Sequence, residues 1–196
     1  MTRSIRVVPH EPHWARLFAE EAELLRAVFG DELVAIHHIG STAIPSTSAK
    51  PIIDILMEVR DIDKVDGFNG SMRRLGYEPK GEFGIPGRRY FRRGSSRART
   101  HHVHAFQTGH PEVERHLAFR DYLIAHPPQA QAYGRLKEML ARQCVEDRES
   151  YNNLKTGFIQ EMDRRARAWR DPRQERSSGA GQKAPDERAS KHRRAT

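Results

Sequence analysis

Asp54 stands alone in an apolar run, with Ile52-Ile53 before it and Ile55-Leu56 after it. A carboxylate in such surroundings costs free energy unless a charge or several donors face it. A metal ion or a phosphate-bearing ligand with its attendant cations would account for its presence. Upstream, His38-Ile39 leads into Gly40-Ser41 and a polar loop that carries Pro45. Downstream, His102 and His104 are separated by one valine. Side chains two apart on a strand share a face, so these two histidines point the same way. Together with Asp54 they would favour Zn²⁺, Mn²⁺ or Fe²⁺. The alternative is a hydrogen-bonded pair of strand histidines, and a tight turn whose N–H groups satisfy Asp54.

Basic residues sit near these positions. Lys50 precedes Pro51 and is placed to reach a phosphate. Arg88 and Arg89 follow Gly87 and must face opposite sides of their strand, so one at most turns toward a site. Arginine offers paired contacts to phosphate that lysine does not. Arg92 and Arg93 read as a solvated strand edge. The segment Gly81 to Gly87 has no Lys-Ser/Thr ending and is no P-loop; it reads as a flexible flap beside the site.

The elements that position these residues follow from periodicity. Ser4 to Val8 reads as a short strand closed by Pro9. Glu11 to Phe29 reads as a helix, with Trp14, Leu17, Phe18, Leu25 and Val28 on one stripe and Gly30 as its stop. Leu33 to Ile39 and Pro51 to Val59 read as strands. Asp61 or Asp63 caps a second helix that runs to Leu75. Arg88 to Arg93 and Thr100 to Gln107 form an antiparallel hairpin. Helices then span Glu112 to Ala125, Gln129 to about Asp147, and Tyr151 to Trp169. Strands with intervening helices, then helices only, predict an α+β fold.

The stretch His38-Ile39-Gly40-Ser41-Thr42-Ala43-Ile44-Pro45-Ser46 with Ala49-Lys50-Pro51-Ile52-Ile53-Asp54-Ile55 resembles the signature of the GrpB family, within the nucleotidyltransferase superfamily. Gly87-Arg88-Arg89-Tyr90-Phe91, His102-Val103-His104, His116 to Leu123, His126-Pro127, Tyr133 with Leu136-Lys137, and Tyr151 with Lys155 follow in the family's order. The resemblance covers residues 5 to 168. It implies a nucleotidyltransferase-like sheet, mixed or antiparallel, with packed helices and a helical C-terminal part. It maps Gly40, Ser41 and Thr42 onto a phosphate-holding turn and Asp54 onto a catalytic acid that holds a divalent ion, Mg²⁺ or Mn²⁺, with Zn²⁺ as the histidine-assisted choice. It places His102 or His104 where a further acid stands in the superfamily. It also brings Arg120 and Lys155 to the pocket, with His116 and Tyr151 beside them. Transfer of a nucleotidyl group to an acceptor is the activity so implied. One departure counts against it: the superfamily's second acid, two residues after the first, is Leu56 here. Glu58 has the right parity but lies ~13 Å along the strand from Asp54. The alternatives are a nucleotide- or cofactor-binding module that has lost the second acid, or an RNA-binding accessory protein.

Composition bounds the rest. With 37% hydrophobic and 31% charged residues the chain reads as one globular domain over residues 1–171. No apolar run reaches the ~20 residues of a membrane span, no secretory leader is evident, and Cys144 is the only cysteine, so membrane partners are not expected and a cytoplasmic location is. Half of the net charge of +8 lies in residues 172–196, with seven Lys/Arg and three Asp/Glu. That segment has no aromatic and no aliphatic larger than alanine; it reads as a disordered basic tail that offers loose contact to RNA.

Overall fold

The computed structural model describes residues 6–95, 98–143 and 148–171. The strand expected over Ser4 to Val8 is present as a single antiparallel bridge of Val8 to Ala49, and its first residues lie outside the described ones. Cys144 and the basic tail lie outside them too.

Helix α1 (His13–Phe29) leads through one 3-10 turn into strand β1 (Leu33–Ile39). A second 3-10 turn, Ser41–Ala43, opens the loop to β2 (Ile53–Val59). The expected second helix is split into a 3-10 stretch, Ile62–Phe68, and a short α2 (Asn69–Arg74). Asp61 caps the stretch by accepting from the Asp63 N–H. Strands β3 (Tyr77–Pro79), β4 (Arg88–Gly94) and β5 (Arg99–Gln107) follow, then α3 (Pro111–Ala125), α4 (Pro127–Gln143) and α5 (Arg148–Arg170).

The sheet is mixed, in the order β1-β2-β5-β4-β3. Only β2 and β5 run parallel; the other neighbours are antiparallel, the β4–β5 hairpin among them. Strand β2 is therefore interior and buried on both faces, which is why it reads as a nearly continuous apolar run. Strand β4 is interior as well. The three-residue β3 covers it, so Arg92 and Arg93 are not an edge, contrary to the sequence reading.

Alternation divides the sheet into two faces. Ile53, Ile55, Met57 and Val59 of β2 join Val103, Ala105 and Phe91 in a core closed by Trp14, Leu25 and Phe29 of α1 and Met72 of α2. Burying each such side chain contributes about 1.5–3 kcal/mol. The opposite face holds a smaller core of Ile39, Leu56 and Phe106 under Val113 of α3. The three C-terminal helices share a third core, built from Ala118, Leu123, Ala130, Tyr133, Met162 and Ala166. Ile44, fully buried, plugs the loop after β1 into that helical core.

Candidate functional site

The register of β1, β2, β5 and β4 aligns Ile39, Asp54, His102 and Arg92 across one face of the sheet. Asp54 Oδ1 accepts from His102 Nδ1 at 3.0 Å. A carboxylate has no proton to give, so Nδ1 carries the hydrogen, and Nε2 of His102 is left buried without a hydrogen bond. Burial alone would raise the Asp54 carboxyl. The hydrogen bond and charge of His102, aided by the Lys155 charge, outweigh it and hold the group below the usual aspartate value.

Gly40 explains the turn beside that acid. Its φ of 69° suits glycine, and a Cβ there would stand 2.5 Å from Asp54 Oδ2. The Gly40 backbone is thus laid directly on the carboxylate. His38 Nε2–H donates to Thr42 Oγ1 at 3.0 Å, and the Thr42 hydroxyl donates in turn to the Ile52 carbonyl at 3.2 Å. The His38 ring is stacked on Phe18 of α1. Burial, with Arg120 adding to it against Asp54, lowers its pKa to about 4, so it is neutral. The only proton of the Thr42 hydroxyl is committed to the Ile52 carbonyl, so the Thr42 side chain locks the loop and has no donor left for a phosphate.

Above Asp54 lies a cavity of about 520 Å³. The sequence-predicted Ser41, Thr42, Lys50, Asp54, His102 and Lys155 line it. Its roof and sides come from Tyr133 and Lys137 of α4 and Tyr90 of β4, which the sequence reading noted without a role, from Arg92 of β4 and Arg99 of β5, which it did not bring to the site, and from Phe83 of the Gly81–Gly87 segment, which it set beside the site. Lys137 is only 3% exposed, and its Nζ makes no hydrogen bond. It sits 4.1 Å from the centre of the Tyr133 ring. Burial, then the neighbouring Lys155, push its pKa well below that of an ordinary lysine, with Asp54 opposing them.

A glycine in mid-helix brings Lys137 there. A Cβ on Gly134 would lie 2.9 Å from the Ser48 N, so only glycine lets α4 settle against the loop. That close approach points the next turn of α4 into the cavity. Tyr133 and Lys137 at i and i+4, with a glycine between them, is the pattern that marks the pair.

Other expected site residues, Arg88, His104, His116 and Arg120, lie outside the cavity wall. Arg88 is buried and donates to the carbonyls of Glu82 and Phe83 at 3.1 and 2.7 Å, with His104 Nδ1 at 3.4 Å from its Nη1. Its cation is spent on pinning the glycine-rich segment to the sheet. Arg89 turns to the other face and meets Asp66 at 2.8 Å, as strand alternation requires. Arg120 donates to the His38 carbonyl at 3.0 Å and to Asp121 at 2.7 Å, so it fixes the end of β1. His104 is packed between Tyr90 and His116, and burial drives its pKa down to about 3. His116, also expected to line the pocket, bonds to Arg115 instead.

A divalent ion finds a poor donor set here. Asp54 is the one carboxylate of the wall, and His102 binds it through Nδ1. Leu56, at the second-acid position, is fully buried in the small core, and Glu58 accepts from His37 at 2.9 Å. Among the described residues no three His, Cys, Asp or Glu side chains are grouped to hold a metal. Asp54 and His102 meet through Asp54 Oδ1, while His104 stands off the cavity wall, packed between Tyr90 and His116. No helix among the described residues is long and apolar enough to cross a membrane.

Comparison with known proteins bears on the frame of this site. The family described as GrpB protein matches residues 4–165. UPF0157 protein YqkA of Bacillus subtilis is 48% identical over 171 residues, which are 87% of this chain and 50% of YqkA, so the chain spans about half the length of that relative. The crystal structure of the conserved protein GrpB from Enterococcus faecalis superimposes with a TM-score of 0.79 at 42% identity, covering 82% of this chain and 96% of that one. A structure of the Cid1 poly(U) polymerase with Mg and 3'-dATP bound superimposes with a TM-score of 0.50 at 11% identity, over 69% of this chain and 43% of that one. The sheet and its helices therefore have a nucleotidyltransferase-like fold.

Proposed function

We propose, since this chain belongs to the GrpB family, that its cavity binds a nucleotide or a related phosphate-bearing small molecule. The observation that carries this reading is convergence. The loop that begins at Gly40, the acid on β2 and the lysines of the loop and helices meet around one space of about 520 Å³. Small-ligand sites are concave and combine apolar walls with a few aimed polar groups. Ser41, Lys50 and Lys155 are the phosphate donors in this reading, while Asp54 and His102 form the floor. Phe83 and Tyr90, stacked with ring centres 5.3 Å apart, form a side wall on which a base can lie.

Leu56 favours binding over transfer. Two-metal transfer clamps both the attacking and the leaving oxygen between ions, and a buried leucine replaces one of the acids that would hold them. Transfer to an acceptor is thus the second reading, supported by the fold alone. RNA contact through residues 172–196 is a third, and rests on their charge.

The test is thermal unfolding of the full chain with nucleoside triphosphates added. A ligand at 100 times its dissociation constant adds about 2.7 kcal/mol to the folded state. That stabilisation should shrink in the double variant Lys50→Met, Lys155→Met. Equal shifts in the variant and the wild type would place the ligand elsewhere.

A further inference from the structure

We propose that the cavity holds a polyphosphate, two or three linked phosphates, without a divalent ion, and that Lys137 with Lys50 and Lys155 supplies the positive charge. This rests on the phosphate-ligand reading above and specifies the charge and form of the ligand.

Three observations point this way. The first is Lys137 itself. A buried donor without a partner is costly, more so when charged, and no described residue bonds this Nζ. The aromatic ring of Tyr133 at 4.1 Å supports a cation but accepts no ordinary hydrogen bond from it. A lysine that served only packing would be replaced by methionine at no loss. An anionic oxygen entering the cavity completes it.

The second is the state of Asp54. Mg²⁺ demands near-octahedral oxygen ligands at about 2.0–2.1 Å and keeps several waters. One oxygen of Asp54 is taken by His102, and the Gly40 backbone lies against the other, where a Cβ on Gly40 would stand 2.5 Å away. Asp54 is the one carboxylate among the described residues of the wall, so a divalent ion there would lack the further oxygen ligands it needs from the protein. The acid instead fixes the His102 ring and balances part of the lysine charge.

The third is the sign of the wall. Among the described residues four cationic side chains line it, Lys50, Arg92, Arg99 and Lys155, against the carboxylate of Asp54, and Lys137, whose charge burial disfavours in the empty cavity, gains a reason to take it up when an anion enters. Arg92 is held by Glu78 at 2.7 Å. A lone phosphate brings about −1.5 to −2 charges near neutral pH, and linked phosphates bring more. The wall matches the larger anion, and an added divalent cation would raise an already positive field.

The experiment is isothermal titration calorimetry on the full chain with ATP, inorganic tripolyphosphate and inorganic phosphate, each in EDTA and again with Mg²⁺. ATP and tripolyphosphate should bind in EDTA with affinities within about threefold of those in Mg²⁺, and phosphate about tenfold or more weaker. Lys137→Met should lower ATP affinity about tenfold or more, as loss of a buried charge-assisted contact does. Lys155→Met, at a half-exposed position outside the core, should weaken ATP in the same direction and guards against misfolding of the first variant. Binding seen only with Mg²⁺, or wild-type affinity in Lys137→Met while Lys155→Met weakens ATP, would overturn the inference and leave the phosphate-ligand reading in place; wild-type affinity in both variants would overturn both. No binding of any probe in either buffer would overturn both.

Discussion

Two buried polar clusters lie on opposite faces of the same sheet, and they differ in one respect. Around Glu21 of α1 the cluster is closed. The Glu21 carboxylate, 3% exposed, accepts from Tyr77 Oη at 3.0 Å and from Arg93 at 2.7 and 2.9 Å, and His101 accepts from Arg93 at 2.9 Å. Burial and the adjacent Glu21 push the Tyr77 hydroxyl well above its ordinary value, so it stays a donor. Around Asp54 the cluster is open. His102 Nε2 and Lys137 Nζ have no hydrogen-bond partner among the described residues, and both residues line the cavity. Closed networks of this kind fix a fold; open ones are finished by something from outside. Perturbed charge alone would not separate them, because both clusters contain it.

Acid is the broadest way to break that comparison. His101 belongs to the closed cluster, while His104 and His116 lie under the open one and His38 holds the loop beside it. Burial lowers all four, His101, His38 and His116 to about 4 and His104 to about 3. Each is a base whose folded value is below that of the unfolded chain. The unfolded chain therefore takes protons first as pH falls below about 6.5. Stability should be full above that pH and drop as pH falls toward 4, by on the order of 10 kcal/mol in total. Urea unfolding at pH 7.0 and 4.5 measures the change. A flat profile would mean that these rings are already charged, and neither cluster would then be as described.

Point substitutions separate the clusters more sharply. Glu21→Ala removes the acceptor that both Arg93 and Tyr77 use, and breaking a buried pair from one side costs about 3–5 kcal/mol. Lys137→Met fills a similar volume and removes a group with no partner, so stability should change by less than ~1 kcal/mol or rise. Chemical denaturation of the two variants at pH 7 gives both numbers. Comparable losses would show that Lys137 is as structural as Glu21.

Much of this arrangement was legible before any coordinates. Asp54 was conspicuous because its neighbours from Ile52 to Met57 are all apolar, and the positions of β1, β2, β4, β5 and α1 followed from periodicity. What the sequence hid were contacts set by close approach between distant elements. Gly134 reads as a weak point in a helix until α4 is seen lying on Ser48, and without that contact Lys137 looks like a surface lysine. The three-residue β3, ending in Pro79, carries too little pattern to be recognised, so Arg92 and Arg93 passed for an edge. Arg88 and Arg120 have the right chemistry for phosphate, but carbonyl groups of the protein claim them first. Hydrogen-bond competition of that sort depends on tertiary distance and leaves no mark in spacing.

Phe83 offers the finest test of what makes the second cluster open. It is 55% exposed yet lies in the cavity wall, and its φ of 45° is one that a phenylalanine seldom adopts. Such strain persists only where neighbours impose it. Arg88 does so, by holding the Phe83 and Glu82 carbonyls. Its ring is stacked on Tyr90 and lies beside Arg92, contacts that offset the strain only in part at so exposed a position, which leaves the ring available to a ligand in the cavity. Phe83→Gly relieves the strain and should leave stability unchanged or raise it by up to about 1 kcal/mol. The same change removes a stacking surface, which is worth about 1–3 kcal/mol per base in nucleotide sites. ATP should then weaken by at least about fivefold while base-free tripolyphosphate binds as before. Calorimetry with the two probes reads that difference. Equal weakening of both would mean that Phe83 shapes the phosphate end of the cavity rather than carrying a base.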